Sequence, residues 1–201
     1  MKTTIKKYLS EGLLIVFSVL FALFINRMSE NATTEKRKKI AIENIKKEIS
    51  TNLKVLGTWQ EHHKKMYANI TNLLNNKNDS VKNQLKSGKY FNFSTLSNNL
   101  PLINSIISNT AWETSKATQI ISEFDFKTIQ ELTQTYTMQE ILLNNTLKSI
   151  TNLYFNAATH NLQNLDATLL QFNLLFNELV GQEQTLSLLY KETLKFLQAY
   201  E

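Results

Sequence analysis

The fourteen residues from 12 to 25, GLLIVFSVLFALFI, carry no charge, and no other stretch of this chain suits hydrocarbon better than a folded aqueous interior. At about 1.5 Å per residue the run spans roughly 21 Å, and extending it back to Tyr8 brings it to about 27 Å, close to the hydrocarbon core of a thin bilayer. Glu11 then falls at the interface, where a charge costs little. The sequence therefore predicts an N-terminal tail and transmembrane anchor over residues 1–26, with Gly12, Phe17, Phe21 and Ile25 among the anchor residues. A secretory signal is the competing reading, because Lys2, Lys6 and Lys7 precede a short apolar run. Such a signal needs small residues at its cleavage site. Ile25-Asn26-Arg27-Met28-Ser29-Glu30 supplies none, so the anchor is expected to stay on the chain.

The remainder of the chain reads as cargo on that anchor. Beyond it and the tail about 150 residues remain, enough for one domain with its own core. Four glycines and one proline are far fewer than the usual ~7% and ~5%, which favours long helices over tight turns. The chain contains no cysteine, so disulfides, thiolate nucleophiles and Cys-based zinc sites are excluded. The formal charge of +5 suggests a polyanion ligand until it is located. Through Lys47 there are ten basic and four acidic residues, and after Ser108 five basic and ten acidic ones. A nucleic-acid surface is disfavoured on that distribution. The cluster Lys36-Arg37-Lys38-Lys39 begins roughly 16 Å along a helix from Ile25, beyond the reach of lipid charge at physiological salt, and reads as a solvated face.

Apolar residues at Ile42, Ile45, Ile49, Leu53 and Leu56, then Trp59, Met66, Ile70 and Leu73, predict one long amphipathic helix continuous with the anchor. Gly57 is a soft point within it. Residues 75–89 lose the pattern and gain Asn, Asp, Ser and Gly, which predicts a mobile surface loop. Tyr90, Phe91 and Phe93 call for burial. Ser97-Asn98-Asn99 before Leu100-Pro101 reads as a helix start, with Ile103, Ile106, Ile107 and Ala111 on the apolar side. After a break at residues 122–125, Asp125 is placed to cap a third helix running from Phe126 to Phe155. Residues 157–164 read as a turn or a kink, and a last helix runs from Leu165 past Gly181 to Leu197. The fold class expected is all-α, an N-terminal transmembrane helix continuing into an antiparallel bundle of about four long helices over residues 27–201. The stripe from Ile42 to Leu74 should be covered by those helices, making the protein a monomer. Left bare, it would be a coiled-coil seam.

Two segments carry a resemblance. Glu11-Gly12 opening an apolar run, then Ala22-Leu23-x-Ile25-Asn26 and an acidic Ser29-Glu30-Asn31 exit, resembles a family of small uncharacterised membrane proteins widespread in Bacteroidetes and classed as a domain of unknown function. Ser108-Asn109-Thr110-Ala111-Trp112-Glu113-Thr114, a break, and the stretch from Phe126 to Tyr136 is similar to a second region of that family. Family members begin Gly-Glu, the reverse order, and have Asn-Trp-Asn where this chain has Arg27-Met28-Ser29. The match covers about a third of the chain. It implies a bacterial inner-membrane topology and brings no activity.

The inventory for chemistry is short. His62 and His63 are adjacent, so on a helix their rings point about 100° apart and do not share one metal. Surface or packing roles are expected for both, and a solvated role for His160. No phosphate-binding loop, carboxylate pair or nucleophile-base ordering is present, and no catalytic residue, cofactor or metal is expected. Trp112-Glu113, a large aromatic beside a carboxylate, is the one candidate pocket, against the plainer reading of a core tryptophan with Glu113 in water.

The simplest function is therefore a membrane-anchored helical interaction or structural module, non-enzymatic, with the lipid bilayer and an unidentified protein as partners. The alternative is a ligand-sensing bundle with a pocket near Trp112 and Glu113. An enzyme would need Glu61, His63 and a further carboxylate to converge in one cleft. For orientation the counts conflict, with more basic residues after the apolar run but denser ones before it, at Lys6 and Lys7. Proximity and the signal-anchor character of the short basic tail place the N-terminus inside and the helical domain outside the cytoplasm.

Overall fold

The computed structural model describes residues 2–75 and 80–198, with side chains from residue 11 onward, and every regular element among them is helical. The chain is all-α, and its first helix runs from the apolar segment straight into a helical bundle. That helix, α1 (Lys2–Asn75), is about 110 Å long at 1.5 Å per residue. Its two halves have opposite surroundings. Every side chain from residue 11 to residue 33 is exposed. The apolar window there has a mean hydropathy of 1.9 and none of it is covered by protein. By length and composition, α1 is the one helix among the described residues able to cross a membrane. Phe17 and Phe21 stack on each other one turn apart, with ring centroids 6.1 Å apart, and Gly12 leaves open space around its backbone.

From Ile42 onward α1 is a core element. Its inward stripe is Ile42, Ile45, Ile49, Asn52, Leu56, Trp59, His63, Met66, Ile70 and Leu73, in alternating steps of three and four, with Glu48 buried beside it. The last helix shows the same alternation from Leu165 to Leu197, with Thr168, Glu183 and Thr193 as buried polar members. Asp125 starts the third rod by accepting from the Thr128 amide at 3.0 Å, as the sequence predicts, a cap worth about 1 kcal/mol.

In chain order, α1 is followed by α2 (Ser80–Lys86), α3 (Ser94–Ser97), α4 (Thr110–Ala117), a 3-10 turn (Ile120–Glu123) and α5 (Phe126–Ile141). A π turn (Leu142–Leu147) joins α5 to α6 (Lys148–Phe155), and two 3-10 turns lead to α7 (Leu165–Gln198). The wide turn slips one extra residue into the rod, moving the buried set from Leu142 to Leu147 and Ile150. α7 is antiparallel to α1: Asn173 donates to Thr71 at 2.8 Å, Gln60 donates to the Glu183 carbonyl at 2.8 Å, and Leu197 shares a surface with Ile42. Both Gly57 and Gly181 sit inside continuous helix. The α1 stripe is thus covered within a single chain.

Two local expectations are corrected. Of the loop expected over residues 75–89, residues 76–79 lie outside the described residues, and Ser80–Lys86 is helical. Leu85 and the stem of Lys82 face inward three residues apart, and the Lys82 ammonium meets the Asp166 carboxylate at 2.5 Å, so a polar sequence docks through two side chains. The Lys82 hydrogen bond holds the Asp166 carboxyl below the usual carboxylate range. The helix expected from Leu100 is also absent, and α4 begins only at Thr110. Asn98 and Asn99 adopt left-handed φ of 51° and 62° and close α3 by donating back to the Ser94 carbonyl. Asparagine caps helix starts and tolerates left-handed helix ends, so the same pair of residues fits either role. Ile103 and Ile106 are accordingly exposed and Ile107 alone of the three is buried.

Residues 98–109 instead form an irregular strap along α1. Leu96 lies by Asn69, Leu102 by His63 and Ser108 by Asn52. The strap therefore runs antiparallel to α1, from the end of the bundle far from the apolar segment toward the near end. At the far end Phe91 stacks on Phe172 at 5.4 Å and Phe93 packs on Tyr154 at 5.2 Å, while Tyr90 is largely exposed.

Candidate functional site

A strap with no regular hydrogen bonding of its own needs partners for its backbone, and each unpaired buried carbonyl would cost about 1–3 kcal/mol. The partners come from α1. Just before the strap Asn69 donates to the Leu96 carbonyl of α3 at 3.2 Å, and within it His63 Nε2 lies 2.8 Å from the Leu102 carbonyl and Asn52 Nδ2 lies 2.6 Å from the Ser108 carbonyl. Asn52 Oδ1 also accepts from the Ser108 amide at 2.9 Å, so one side chain pairs both backbone groups of Ser108. Asn52 and His63 are polar members of the inward stripe of α1, and Glu48 beside Ile49 is a third buried polar side chain of that helix.

A polar hub surrounds Ser108. Gln139 of α5 donates to the Ser108 carbonyl at 3.2 Å and accepts from the Tyr190 hydroxyl of α7 at 2.7 Å. Glu48 takes the Tyr136 hydroxyl at 2.7 Å through Oε1, and the Ser108 hydroxyl and the Ala111 amide at 2.9 Å through Oε2. This carboxylate therefore sits on the first turn of α4, where the helix dipole favours negative charge, and ties α1, α4 and α5 together. Burial pushes the Tyr136 hydroxyl far above the ordinary tyrosine range, and the Glu48 hydrogen bond raises it further. Tyr190 is raised mainly by burial, offset in part by its hydrogen bonding. Both stay neutral donors throughout the physiological range.

The second polar contact is His63 with Glu183. Both side chains are fully buried, and Nδ1 lies 2.5 Å from Oε1. The Leu102 carbonyl only accepts, so Nε2 carries a hydrogen, and Nδ1 is left facing the carboxylate. The other carboxylate oxygen, Glu183 Oε2, is buried without a hydrogen-bond partner among the described residues, so the His63 contact is the one polar contact this side chain makes. His63 thus fulfils the packing role expected of it, and it does meet a carboxylate, but inside the core rather than in a cleft, with Glu61 in solvent. His62 turns away: burial lowers its pKa, its neighbour His63 lowers it further, and a Pro101 carbonyl hydrogen bond opposes both. No group of three or more His, Asp or Glu suited to a metal occurs among the described residues. His160, expected to be solvated, is half-buried, its ring edge-on to Tyr154 at 5.8 Å and to Tyr90 at 6.3 Å.

Trp112 and Glu113 part company. Trp112 is 5% exposed and stacks flat on Tyr136, centroids 5.3 Å apart, with Lys116 over its ring. Glu113 faces solvent and pairs with Lys116 at 2.7 Å. Both border an open cleft of about 460 Å³ between α4 and α5, along with Thr137 and Glu140. A larger groove of about 600 Å³ lies on the opposite side of α4, against α1.

Sequence reasoning misses Glu48, Asn52, Gln139 and Glu183. The available signal is spacing: after the step of three from Ile42 to Ile45 and of four from Ile45 to Ile49, the alternation next gives three and reaches Asn52, while Leu53 is only half-buried. No known family pattern, curated protein or solved structure matches this chain.

Proposed function

We propose that this chain is a membrane-anchored, non-enzymatic interaction module, single-pass in a bacterial inner membrane, with its N-terminus in the cytoplasm and its bundle outside. The observation that supports this best is the continuity of α1. One helix is first an uncovered apolar rod and then the central member of the bundle, so a partner bound to the bundle is held at a set height above the bilayer. The side assignment rests on Lys6 and Lys7 close to the apolar run, and the bacterial setting on the family resemblance. Crosslinking the protein in its native membrane, followed by mass spectrometry, is the test. A discrete protein partner is expected, and recovery of lipid and the chain alone would contradict the reading.

The ligand-sensing alternative draws on the cleft beside Trp112 and Glu113. That cleft is open, and the Trp112 face is already occupied by Tyr136, so the interaction reading has the firmer support.

A further inference from the structure

The groove between α1 and α4, of about 600 Å³, is larger than the cleft beside Trp112. On α1 it follows one helical face from Arg37 to Asn52, about 22 Å long. On α4 it meets only small side chains, Thr110, Ala111, Thr114 and Ser115. Two large apolar side chains stand unprotected in its lining, Ile40 at 52% exposed and Ile106 at 85%.

Three observations narrow the occupant. Its charged rim is basic: Arg37 and Lys47 are exposed and outside any ion pair among the described residues, whereas Glu48 is turned inward onto Tyr136, Ser108 and Ala111. Between the two helices the lining is completed by Ile106 and Ser108 of the strap, and both backbone groups of Ser108 are already taken by Asn52. No strand edge among the described residues is offered to an extended peptide, so the occupant must satisfy its own backbone. Finally, Arg37 lies twelve residues beyond Ile25, about 18 Å up α1, while headgroups extend only about 5–8 Å past the hydrocarbon. Lipid of the bilayer does not reach the groove. A second copy laid alongside in parallel would set Arg37 and Lys47 against themselves.

We propose that this groove is the docking site for an amphipathic helix of a second protein, about fifteen residues long, with an apolar stripe for Ile40 and Ile106 and acidic flanks for Arg37 and Lys47. This rests on the interaction-module reading and names the kind of partner it implies.

The test uses the full-length protein in its native membrane, with a photo-crosslinking amino acid at Thr114 in the groove or at Thr137 in the opposite cleft. The Thr114 probe is expected to capture a peptide whose sequence has helical apolar spacing and flanking Asp or Glu, and the Thr137 probe is not. Combining Arg37→Glu with Lys47→Glu, both on exposed positions, should cut that yield about tenfold, and acid-to-lysine changes in the captured helix should restore it. Capture of lipid, of a second copy, or of a protein without acidic flanks overturns the proposal, as does a yield unaffected by charge reversal. A protein captured only from Thr137 overturns the groove and leaves the interaction reading standing. No protein from either probe overturns both.

Discussion

His63 and Glu183, 120 residues apart in the chain, meet in the middle of the bundle with Nδ1 2.5 Å from Oε1, both with no exposed surface. The contact joins α1 to α7, and through the other ring nitrogen of His63 it also holds the strap at Leu102. Removing one partner leaves the other buried without its charge balance, and that loss commonly costs about 3–5 kcal/mol. Glu183→Leu is therefore expected to destabilise the protein by that order. The double change His63→Leu with Glu183→Leu should cost clearly less than the two singles together, because no polar group is then stranded except the Leu102 carbonyl. Denaturant unfolding of the four species measures the coupling, and hydrogen exchange should show the strap losing protection in every variant lacking His63.

The two buried tyrosines govern alkaline stability. Tyr136 and Tyr190 ionise later when folded than when unfolded, so the folded state holds protons that the unfolded state releases above about pH 10. Their contribution is fully present below pH 10 and is lost as pH rises beyond it, at about 1.4 kcal/mol per pH unit for each tyrosine. Ultraviolet titration should show the exposed tyrosines ionising first and these two only as helicity collapses. In Tyr136→Phe/Tyr190→Phe the steep alkaline loss should flatten, although each change also removes a hydrogen bond.

His62 works in the opposite direction and more weakly. Its folded pKa lies below the usual histidine value, so the folded state resists taking a proton that the unfolded state accepts below about pH 6.5. Stability should decline modestly as pH falls from 6.5, and His62→Gln should remove that part of the slope.

Gly57 and Gly181 lie mid-helix, and a methyl group added at either would meet nothing within 4 Å. Alanine should therefore stabilise at each by about 0.5–1 kcal/mol, a rise of roughly 1–4 °C in Tm, measured by thermal unfolding. A fall at Gly181 would show that α7 needs a soft point there.

The long elements are legible in the sequence because their signals are local. The anchor is a run of apolar side chains, the α5 cap is Asp125 beside its own amides, and α7 repeats its apolar residues over more than thirty positions. The strap is not legible, since Asn98 and Asn99 read equally as the start of one helix or the end of another. The polar hub is hidden for a different reason. Asn52 and His63 look like interruptions of an apolar stripe until the strap supplies Ser108 and Leu102 for them to hold. Glu48 likewise looks like one more surface acid of a charged helix until Tyr136, Ser108 and Ala111 converge on it from three other segments.

The central claim, one retained helix that spans a membrane and carries the bundle outside the cytoplasm, can be tested in a single experiment because the chain has no cysteine of its own. Thr4→Cys, Phe21→Cys and Glu61→Cys are each treated with a membrane-impermeant maleimide in spheroplasts, in lysed membranes and in detergent. Glu61→Cys is expected to be labelled in intact spheroplasts, Thr4→Cys only after lysis, and Phe21→Cys only in detergent. Labelling of Phe21→Cys without detergent, or a mature chain from which Thr4→Cys is missing, would contradict the anchor. Glu61→Cys labelled only after lysis would place the bundle in the cytoplasm.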